Sequence, residues 1–232
     1  MGLTKTLAHA LTDYKAASSL GSKLRTSRMQ HLLPLIETVY AKNGSVAIID
    51  IGGTKTFWNI LPKEKLDSYN IKITVVNLAG SNCSADDNHF TFVDGDGCNL
   101  SGFDNNSFDI AHSNSVIEHV GDWKQMRKFA QEILRLAPIT YIQTPFFWFP
   151  IEPHFMTPFF HWLPRPVRIA LCLTFGLGHF NRALNIDEAV AKVDCIELLD
   201  YRLFQELFPK LSIKKEKVLF LTKSLIGISS GA

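Results

Sequence analysis

Five short apolar runs rich in β-branched residues constrain the fold of this 232-residue chain more than any other feature. They cover residues 45–51, 71–78, 90–94, 107–113 and 139–144. Continuous apolar runs of this length predict strands that are covered on both faces of a sheet. Helical patterns at 28–41, disturbed by Pro34, and at 122–138 alternate with these runs. This alternation predicts an α/β fold with a parallel, doubly wound sheet.

The second helical pattern has clear end signals. Trp123, Met126, Ala130 and Ile133 share one helical face, Asp122 can cap the first turn and a proline at 138 ends the pattern. A last helix is expected to begin near Asp200, followed by two antiparallel strands within residues 211–228. We therefore expect a single domain over residues 1–232.

Charge and cysteine content exclude several classes of protein. The chain has 24 Lys and Arg against 22 Asp and Glu, and its basic residues are scattered, which argues against a nucleic-acid partner. Its four cysteines lie far apart without a CxxC pair, so the sequence predicts neither a metal site nor a disulfide framework. We expect a cytoplasmic protein in a reducing compartment.

We expect that the first residues are not a cleaved signal peptide. They lack the apolar core of a signal peptide, and the match of "MGLTKT" to a myristoylation pattern, through Gly2 and Thr6, is one that often arises by chance. No apolar run reaches the length of about 18 residues that a membrane span needs.

The first strand ends abruptly in "DIGGT". Gly52 and Gly53 can adopt positive φ and leave space for a ligand, the next helix start offers free N–H groups, and Asp50 adds a carboxylate. In doubly wound sheets ligands bind at this end of the strands. A tight structural turn that closes a buried strand is the alternative.

Polar residues also follow the next three strands. Asn77 ends the second strand, where an amide can bond a ribose hydroxyl, and Asp96 with Gly97 follows the third, where they could meet an adenine ring. The fourth strand leads into Ser113, Asn114, Glu118 and His119. Four consecutive strand ends thus predict one ligand site.

"IIDIGGT", "VDGDGCNLSGFDNNSFDIAHSNSVIEHVGDW" and "ITYIQTPFFWFPIEPHF" together resemble the motifs of class I S-adenosylmethionine-dependent methyltransferases of the type 11 group. The resemblance implies a seven-stranded, Rossmann-like sheet with a final antiparallel strand, and S-adenosyl-L-methionine as the cofactor. Carried over by position, Asp50, Gly52 and Gly53 would line its methionine part, Asn77 its ribose, Asp96 and Gly97 its adenine, while Ser113 and Asn114 would border the methyl-transfer site.

Two positions depart from the family pattern, since Thr54 replaces the usual second spaced glycine and Asn77 the usual ribose acid. These departures keep a second hypothesis open, a binding or scaffold protein that retains the fold without turnover. A nicotinamide-dependent oxidoreductase is disfavoured because the chain has no GxGxxG after the first strand and no Tyr-x-x-x-Lys pair.

Two histidines are candidate bases for methyl transfer to an acceptor that must lose a proton. His119 lies at the rim of the predicted site, and His154 follows Glu152, which could orient it. Glu152 and Phe155 are also candidate substrate contacts. A packing role for His119 and a structural corner at 150–153 are the alternatives.

An aromatic segment follows the fifth strand, with 145–186 predicted as an insertion on the substrate side. It could form a lid over a small or lipid-like acceptor, a partner interface, or a peripheral membrane contact through 145–180, with Arg165, Arg168 and Arg182 near anionic headgroups. The alternative is a helical subdomain that buries its aromatic residues in its own core. We expect transfer to an oxygen atom, while the sequence leaves the oligomeric state open.

Overall fold

A computed structural model of the chain describes residues 20–81 and 84–229. The pattern at Gly2 and the cysteine at position 83 lie outside the described residues. The helices are α1 (Leu20–Asn43), α2 (Lys55–Trp58), α3 (Lys63–Ser68), α4 (Trp123–Leu136), α5 (Arg165–Thr174), α6 (Ile186–Asp194) and α7 (Tyr201–Leu207), and single 3₁₀ turns occupy Ile117–His119 and Phe160–Trp162. The strands are β1 (Val46–Ile51), β2 (Ile71–Asn77), β3 (Phe90–Asp94), β4 (Ile110–Asn114), β5 (Ile139–Pro145), β6 (Leu211–Val218) and β7 (Leu221–Ser229).

The seven strands form one sheet in the order β3-β2-β1-β4-β5-β7-β6. The first five are parallel, whereas β7 runs antiparallel to both β5 and β6. This arrangement confirms the predicted doubly wound sheet and its final antiparallel strand. The order of the strands along the sheet changes direction between β1 and β4. Ligands are therefore expected at the carboxyl ends of these two strands.

Apolar clusters cover both faces of the sheet. On one face α4 and α7 pack through Met126, Phe129, Ile133 and Phe204. On the other face α1, α2 and α3 pack through residues that include Leu32, Ile36, Trp58 and Leu66. The strands β1, β4 and β5 contribute nearly continuous buried runs, as the sequence predicted, whereas Lys72 in β2 is exposed.

The predicted caps are present, and a short helix follows the glycine turn. Asp122 accepts a hydrogen bond from the backbone of Gln125, and Asp200 begins α7 in the same way by accepting from Leu203. The helix α2 has only four residues and ends at Trp58, and Pro62 begins the next helix, α3. The free N–H groups expected after the glycine turn lie in this single turn of helix.

A third apolar cluster lies in the segment after β5. Phe155, Phe160, Cys172, Ala189 and Val193 are buried in it, so the segment has a core of its own around α5 and α6. Other aromatic side chains of the same segment remain exposed, among them Trp148 and Phe159. Among the described residues, no helix combines the length and the apolar character needed to cross a bilayer.

Candidate active site

A cleft of about 410 Å³ opens at the carboxyl ends of β1 to β4. We call it the sheet-edge cleft; its walls include Gly52, Asn77, Asp96, Gly97, Ser115 and His119. Its volume lies in the range typical of small-molecule and cofactor sites. Five of the positions predicted from the sequence, Gly52, Asn77, Asp96, Gly97 and His119, are therefore brought together on one surface.

The two glycines of the first turn have different roles. Gly52 has φ +73°, and a Cβ there would lie 2.5 Å from Val116 Cγ2, so both backbone strain and close packing favour glycine. A Cβ on Gly53 would overlap the carboxylate of Asp50. Gly53 thus leaves room for a protein side chain, and it does not line the sheet-edge cleft.

Asp50 lies beneath the turn and is fully buried. Its carboxylate accepts hydrogen bonds from Trp58 Nε1 at 2.7 Å and from His112 Nδ1 at 2.6 Å. Because Trp58 ends α2 and His112 lies on β4, this carboxylate links three elements around the turn. His112 was missed in the sequence, where it stands inside an apolar strand without a motif.

Asn77 joins the end of β2 to the glycine turn. Its amide nitrogen donates to the carbonyl oxygen of Gly53 at 3.0 Å. A carboxylate could not make this bond, since both atoms would be acceptors. The departure from the family's usual acid at this position therefore has a structural reason, and the side chain still lies on the wall of the cleft.

The loop after β3 forms another wall. Asp96 accepts a hydrogen bond from the backbone of Cys98 at 2.9 Å, which fixes its carboxylate at the cleft. A Cβ on Gly97 would lie 2.9 Å from both Ile51 Cγ2 and Phe129 Cε2, so only glycine lets this loop pack so close to the core. The placement suits an adenine-like ring at Asp96 and Gly97.

Ser113 and Asn114 lie at the end of β4 but away from the cleft wall. Ser113 is buried and donates to the carbonyl oxygen of Ile51 at 3.0 Å. Asn114 accepts from Arg28 Nη1 at 3.0 Å and lines a second cavity.

This second cavity has a volume of about 470 Å³ and is mainly apolar. We call it the apolar cavity; its apolar walls include Leu24, Phe149, Ile151, Met156 and Val218. Its polar residues are Arg25, Arg28, Asn114, Ser115, His154 and Lys223. Ser115 lines both cavities, so they meet at the end of β4.

His119 and His154 lie between the two cavities. Their Nε2 atoms are 3.0 Å apart, with His119 on the sheet-edge cleft and His154 on the apolar cavity. His119 Nδ1 lies 3.1 Å from the carbonyl oxygen of Cys195, and His154 Nδ1 contacts the carboxylate of Glu152. The structure thus forms a chain from Glu152 through both imidazoles.

The hydrogen bonds determine how many protons this pair carries. Both Nδ1 atoms face acceptors and therefore carry hydrogen, so the Nε2 atoms can bond only if one proton lies between them. Burial lowers the pKa of His154, but the hydrogen bond and charge of Glu152 outweigh this and raise it overall. Enclosure of the His119 ring and the charge of His154 lower the pKa of His119. The shared proton therefore belongs mainly to His154.

Glu152 is itself deeply buried at 2% exposure. It accepts hydrogen bonds from the backbone of His154 and, at 2.7 Å, from that of Phe155. Burial raises the pKa of Glu152, but these bonds and the charge of His154 lower it overall. Glu152 reaches the apolar cavity only through His154. Phe155 stacks on Phe160 in the third cluster, with their ring centres 4.1 Å apart. It does not line the apolar cavity.

Glu118 is a second buried carboxyl group near the pair. It accepts from the hydroxyl of Thr144 at 3.1 Å through one oxygen, and its other oxygen has no partner among the described residues. Burial raises the pKa of Glu118 to about 7. Sequence analysis placed Glu118 at the rim and did not predict its burial.

The family comparison matches residues 50–138 to a model described as a methyltransferase domain. The chain matches no curated protein. Similar solved structures include an O-methyltransferase family protein from Burkholderia thailandensis, with 12% identity and a TM-score of 0.49 over 96% of this chain and 64% of that one. Another is a candidate zinc-dependent alcohol dehydrogenase from Rhodobacter sphaeroides. It has 10% identity and a TM-score of 0.48 over 81% of this chain and 85% of that one.

A third similar structure is phosphoethanolamine N-methyltransferase 2 from Haemonchus contortus in complex with S-adenosylmethionine. It has 15% identity and a TM-score of 0.46 over 75% of this chain and 35% of that one. The chain thus spans about a third of the length of this protein. All three TM-scores lie below 0.5, and neither substrate nor reaction follows from these alignments.

The matched segment contains every residue that lines the sheet-edge cleft. It supports S-adenosylmethionine as the cofactor. Together, the matched segment and the mixed seven-stranded sheet support a class I S-adenosylmethionine-dependent methyltransferase, as the resemblance implied.

Proposed function

We propose that the protein transfers a methyl group from S-adenosylmethionine in the sheet-edge cleft to an oxygen atom of a small or lipid-like acceptor in the apolar cavity. The observation that carries this proposal is the junction of the two cavities at Ser115, beside the pair His119 and His154. A bound sulfonium supplies the electrophilic methyl group, so the protein mainly aligns the acceptor and excludes water.

An oxygen acceptor suits the histidine pair. A hydroxyl group must lose its proton on methylation, and an imidazole is a suitable base near neutral pH. In the state with one shared proton, both Nε2 atoms are occupied by their mutual bond. Above the pKa of His154 that proton is absent, and Nε2 of His119 can take the proton of the acceptor. We therefore expect turnover to rise with pH through this pKa.

Calorimetry with S-adenosylhomocysteine tests the cofactor site. We expect binding by the wild-type chain, weaker binding by Asp96→Ala and wild-type binding by Asp104→Ala, because Asp104 is an exposed acid outside the cleft. NADH should give no heat of binding. Absence of binding to S-adenosylhomocysteine by a folded wild-type chain would refute the proposed activity and favour a scaffold role.

Mass spectrometry identifies the acceptor. A cell extract incubated with the protein and an isotopically labelled methyl donor should yield a labelled product. On that acceptor, His119→Ala should lower turnover by about 10²-fold or more, since general base catalysis contributes this much, while S-adenosylhomocysteine still binds. Normal turnover of this variant would remove His119 from the proton transfer.

We also propose that segment 145–180 contacts an anionic membrane surface. The side chains of Trp148, Phe159 and Trp162 have exposed fractions of 58%, 52% and 38%. The ring centre of Trp162 lies 5.9 Å from that of Trp148 and 5.1 Å from that of Phe159. Amphipathic aromatic rings favour the membrane interface. Arg165, at the start of α5, is a candidate contact for anionic headgroups, although it pairs with Asp194. Trp148→Ser should weaken sedimentation with phosphatidylglycerol vesicles. A wild-type chain that does not sediment with them contradicts membrane contact.

A further inference from the structure

The pairing of β6 and β7 contains a bulge at Lys223. Lys217 pairs with Thr222 and Glu216 pairs with Ser224, so Lys223 is the extra residue with no opposite partner. Bulges of this kind redirect a side chain and are frequent beside active sites. Here the side chain of Lys223 lines the apolar cavity.

Among the described residues, the cationic group of Lys223 has no fixed counter-ion. No hydrogen bond or ion pair joins its Nζ to any residue within the described ranges 20–81 and 84–229. Three carboxylates act on it electrostatically, those of Glu216, Glu118 and Glu152. None of them pairs with it, because Glu216 is held by Arg28 and Glu152 by His154, while Glu118 bonds Thr144.

The neighbouring guanidinium of Arg28 is already neutralised. It makes a two-point ion pair with Glu216, at 2.8 Å from Nε and 2.6 Å from Nη2, and a third bond to Asn114. This pair leaves little free charge for a ligand. Lys223 therefore supplies positive charge to this cavity together with the half-buried Arg25, while most of the remaining walls are apolar.

A partly enclosed ammonium group without a counter-ion is unfavourable, because it has lost part of its hydration. Burial lowers the pKa of Lys223 to about 8, and the charge of Arg28 acts in the same direction. The amine is still mainly protonated at neutral pH. An anionic group bound beside Lys223 would compensate the charge of the ammonium group and raise this pKa.

We propose that Lys223 binds the anionic group of the acceptor, which is an amphiphile with an apolar chain along Leu24, Phe149 and Val218. This inference rests on the proposed function, since it takes the apolar cavity as the acceptor site. It narrows the acceptor class from any small or lipid-like molecule to one with a negative charge. Such an amphiphile could be free in solution or part of an anionic lipid surface.

Binding of decanoate tests this inference on the chain saturated with S-adenosylhomocysteine. Calorimetry should show that decanoate binds roughly tenfold more tightly than uncharged decanol, because a hydrogen bond to a charged group contributes about this factor. Lys223→Met should lose this preference, and Lys223→Arg should keep most of it. Lys217→Met is the matched control, since Lys217 is exposed on the same hairpin and should bind decanoate as the wild type does.

Vesicles of phosphatidylglycerol distinguish the two sources. Loss of vesicle sedimentation in Lys223→Met indicates a lipid surface, whereas a change confined to decanoate indicates a soluble acceptor. Equal binding of decanoate and decanol, or decanoate binding that Lys223→Met leaves unchanged, overturns the inference. Saturation with S-adenosylhomocysteine is measured first, so its failure refutes the proposed function and not the role of Lys223.

Discussion

The carboxylate of Glu152 sets the protonation of the histidine pair, and Glu152→Gln is the sharpest test of this role. The substitution keeps the size of the side chain but removes the negative charge that holds His154 in its cationic form. Hydrogen bonds to charged groups contribute about 1.5–3 kcal/mol. Because 1.36 kcal/mol corresponds to one unit, the pKa of His154 should fall by about one to two units.

NMR titration of the histidine ring signals measures this change. The signals of His154 are assigned by comparison with a His154→Gln variant, and the fold of each variant is checked by its binding of S-adenosylhomocysteine. Glu197→Gln is the matched control. The backbone of Glu197 bonds that of Glu118, the neighbour of His119, but its carboxylate is exposed, so this substitution should leave the pKa of His154 unchanged. With the acceptor identified, the acid limb of turnover should move to lower pH by the same amount. A folded Glu152→Gln variant with an unchanged pKa at His154 would refute the proposed chain of hydrogen bonds.

The same pair predicts how stability depends on pH. The pKa of His154 is raised in the folded state, so its contribution is complete below its ordinary value of 6.5 and is lost as pH rises through the folded value. The pKa of Glu152 is lowered, so its contribution is present above its ordinary value of 4.5 and is lost as pH falls through the folded value. The pair therefore stabilises the fold most between these two ordinary values. Thermal unfolding of the wild type and of Glu152→Gln should differ most in this window and converge above the folded pKa of His154.

Three further substitutions test the walls of the two cavities. Asn77→Asp replaces the donor to the Gly53 carbonyl by an acceptor and should lower the free energy of unfolding by about 0.5–1.5 kcal/mol, because a half-buried hydrogen bond is lost; urea unfolding measures it, and an unchanged midpoint contradicts this role. Gly52→Ala places a Cβ against Val116 at positive φ and should cost about 1–3 kcal/mol, with partial recovery in Gly52→Ala/Val116→Ala. A melting temperature equal to that of the wild type would show that the turn tolerates a side chain. Glu216→Leu leaves Arg28 buried without a counter-ion and should cost about 3–5 kcal/mol, whereas Arg28→Met/Glu216→Leu should be nearly neutral; a double variant as unstable as the single one would contradict charge burial as the cause.

The sequence predicted the sheet well because the signals for its strands are local. The runs at 71–78 and 90–94 are observed as strands within one residue at each end, and Asp122 and Asp200 begin their helices as expected. The sequence predicted that a helix follows the glycine turn but gave no bounds for it. Its apolar residues Phe57 and Trp58 fill the core from one short turn, and Pro62 starts a new helix.

The candidate site was predicted less completely, for a physical reason. Gly52, Asn77 and Asp96 could be placed because each one follows a strand, and parallel strands bring their ends together. Lys223 could not be placed, since its direction depends on a bulge that only the pairing of two strands creates. The distance between His119 and His154 likewise depends on how the segment after β5 folds back over the sheet.

The two cavities differ in how much of their lining the family match covers. Every residue that lines the sheet-edge cleft lies within the matched segment 50–138. The apolar cavity takes only Asn114 and Ser115 from that segment, and its other walls come from α1, the segment after β5 and the hairpin of β6 and β7. A family that shares the cofactor cleft can therefore vary the acceptor by changing parts of the chain that the family pattern does not contain. The acceptor must be inferred from Lys223 and its apolar neighbours, because the matched segment lines mainly the sheet-edge cleft, where we propose that the cofactor binds.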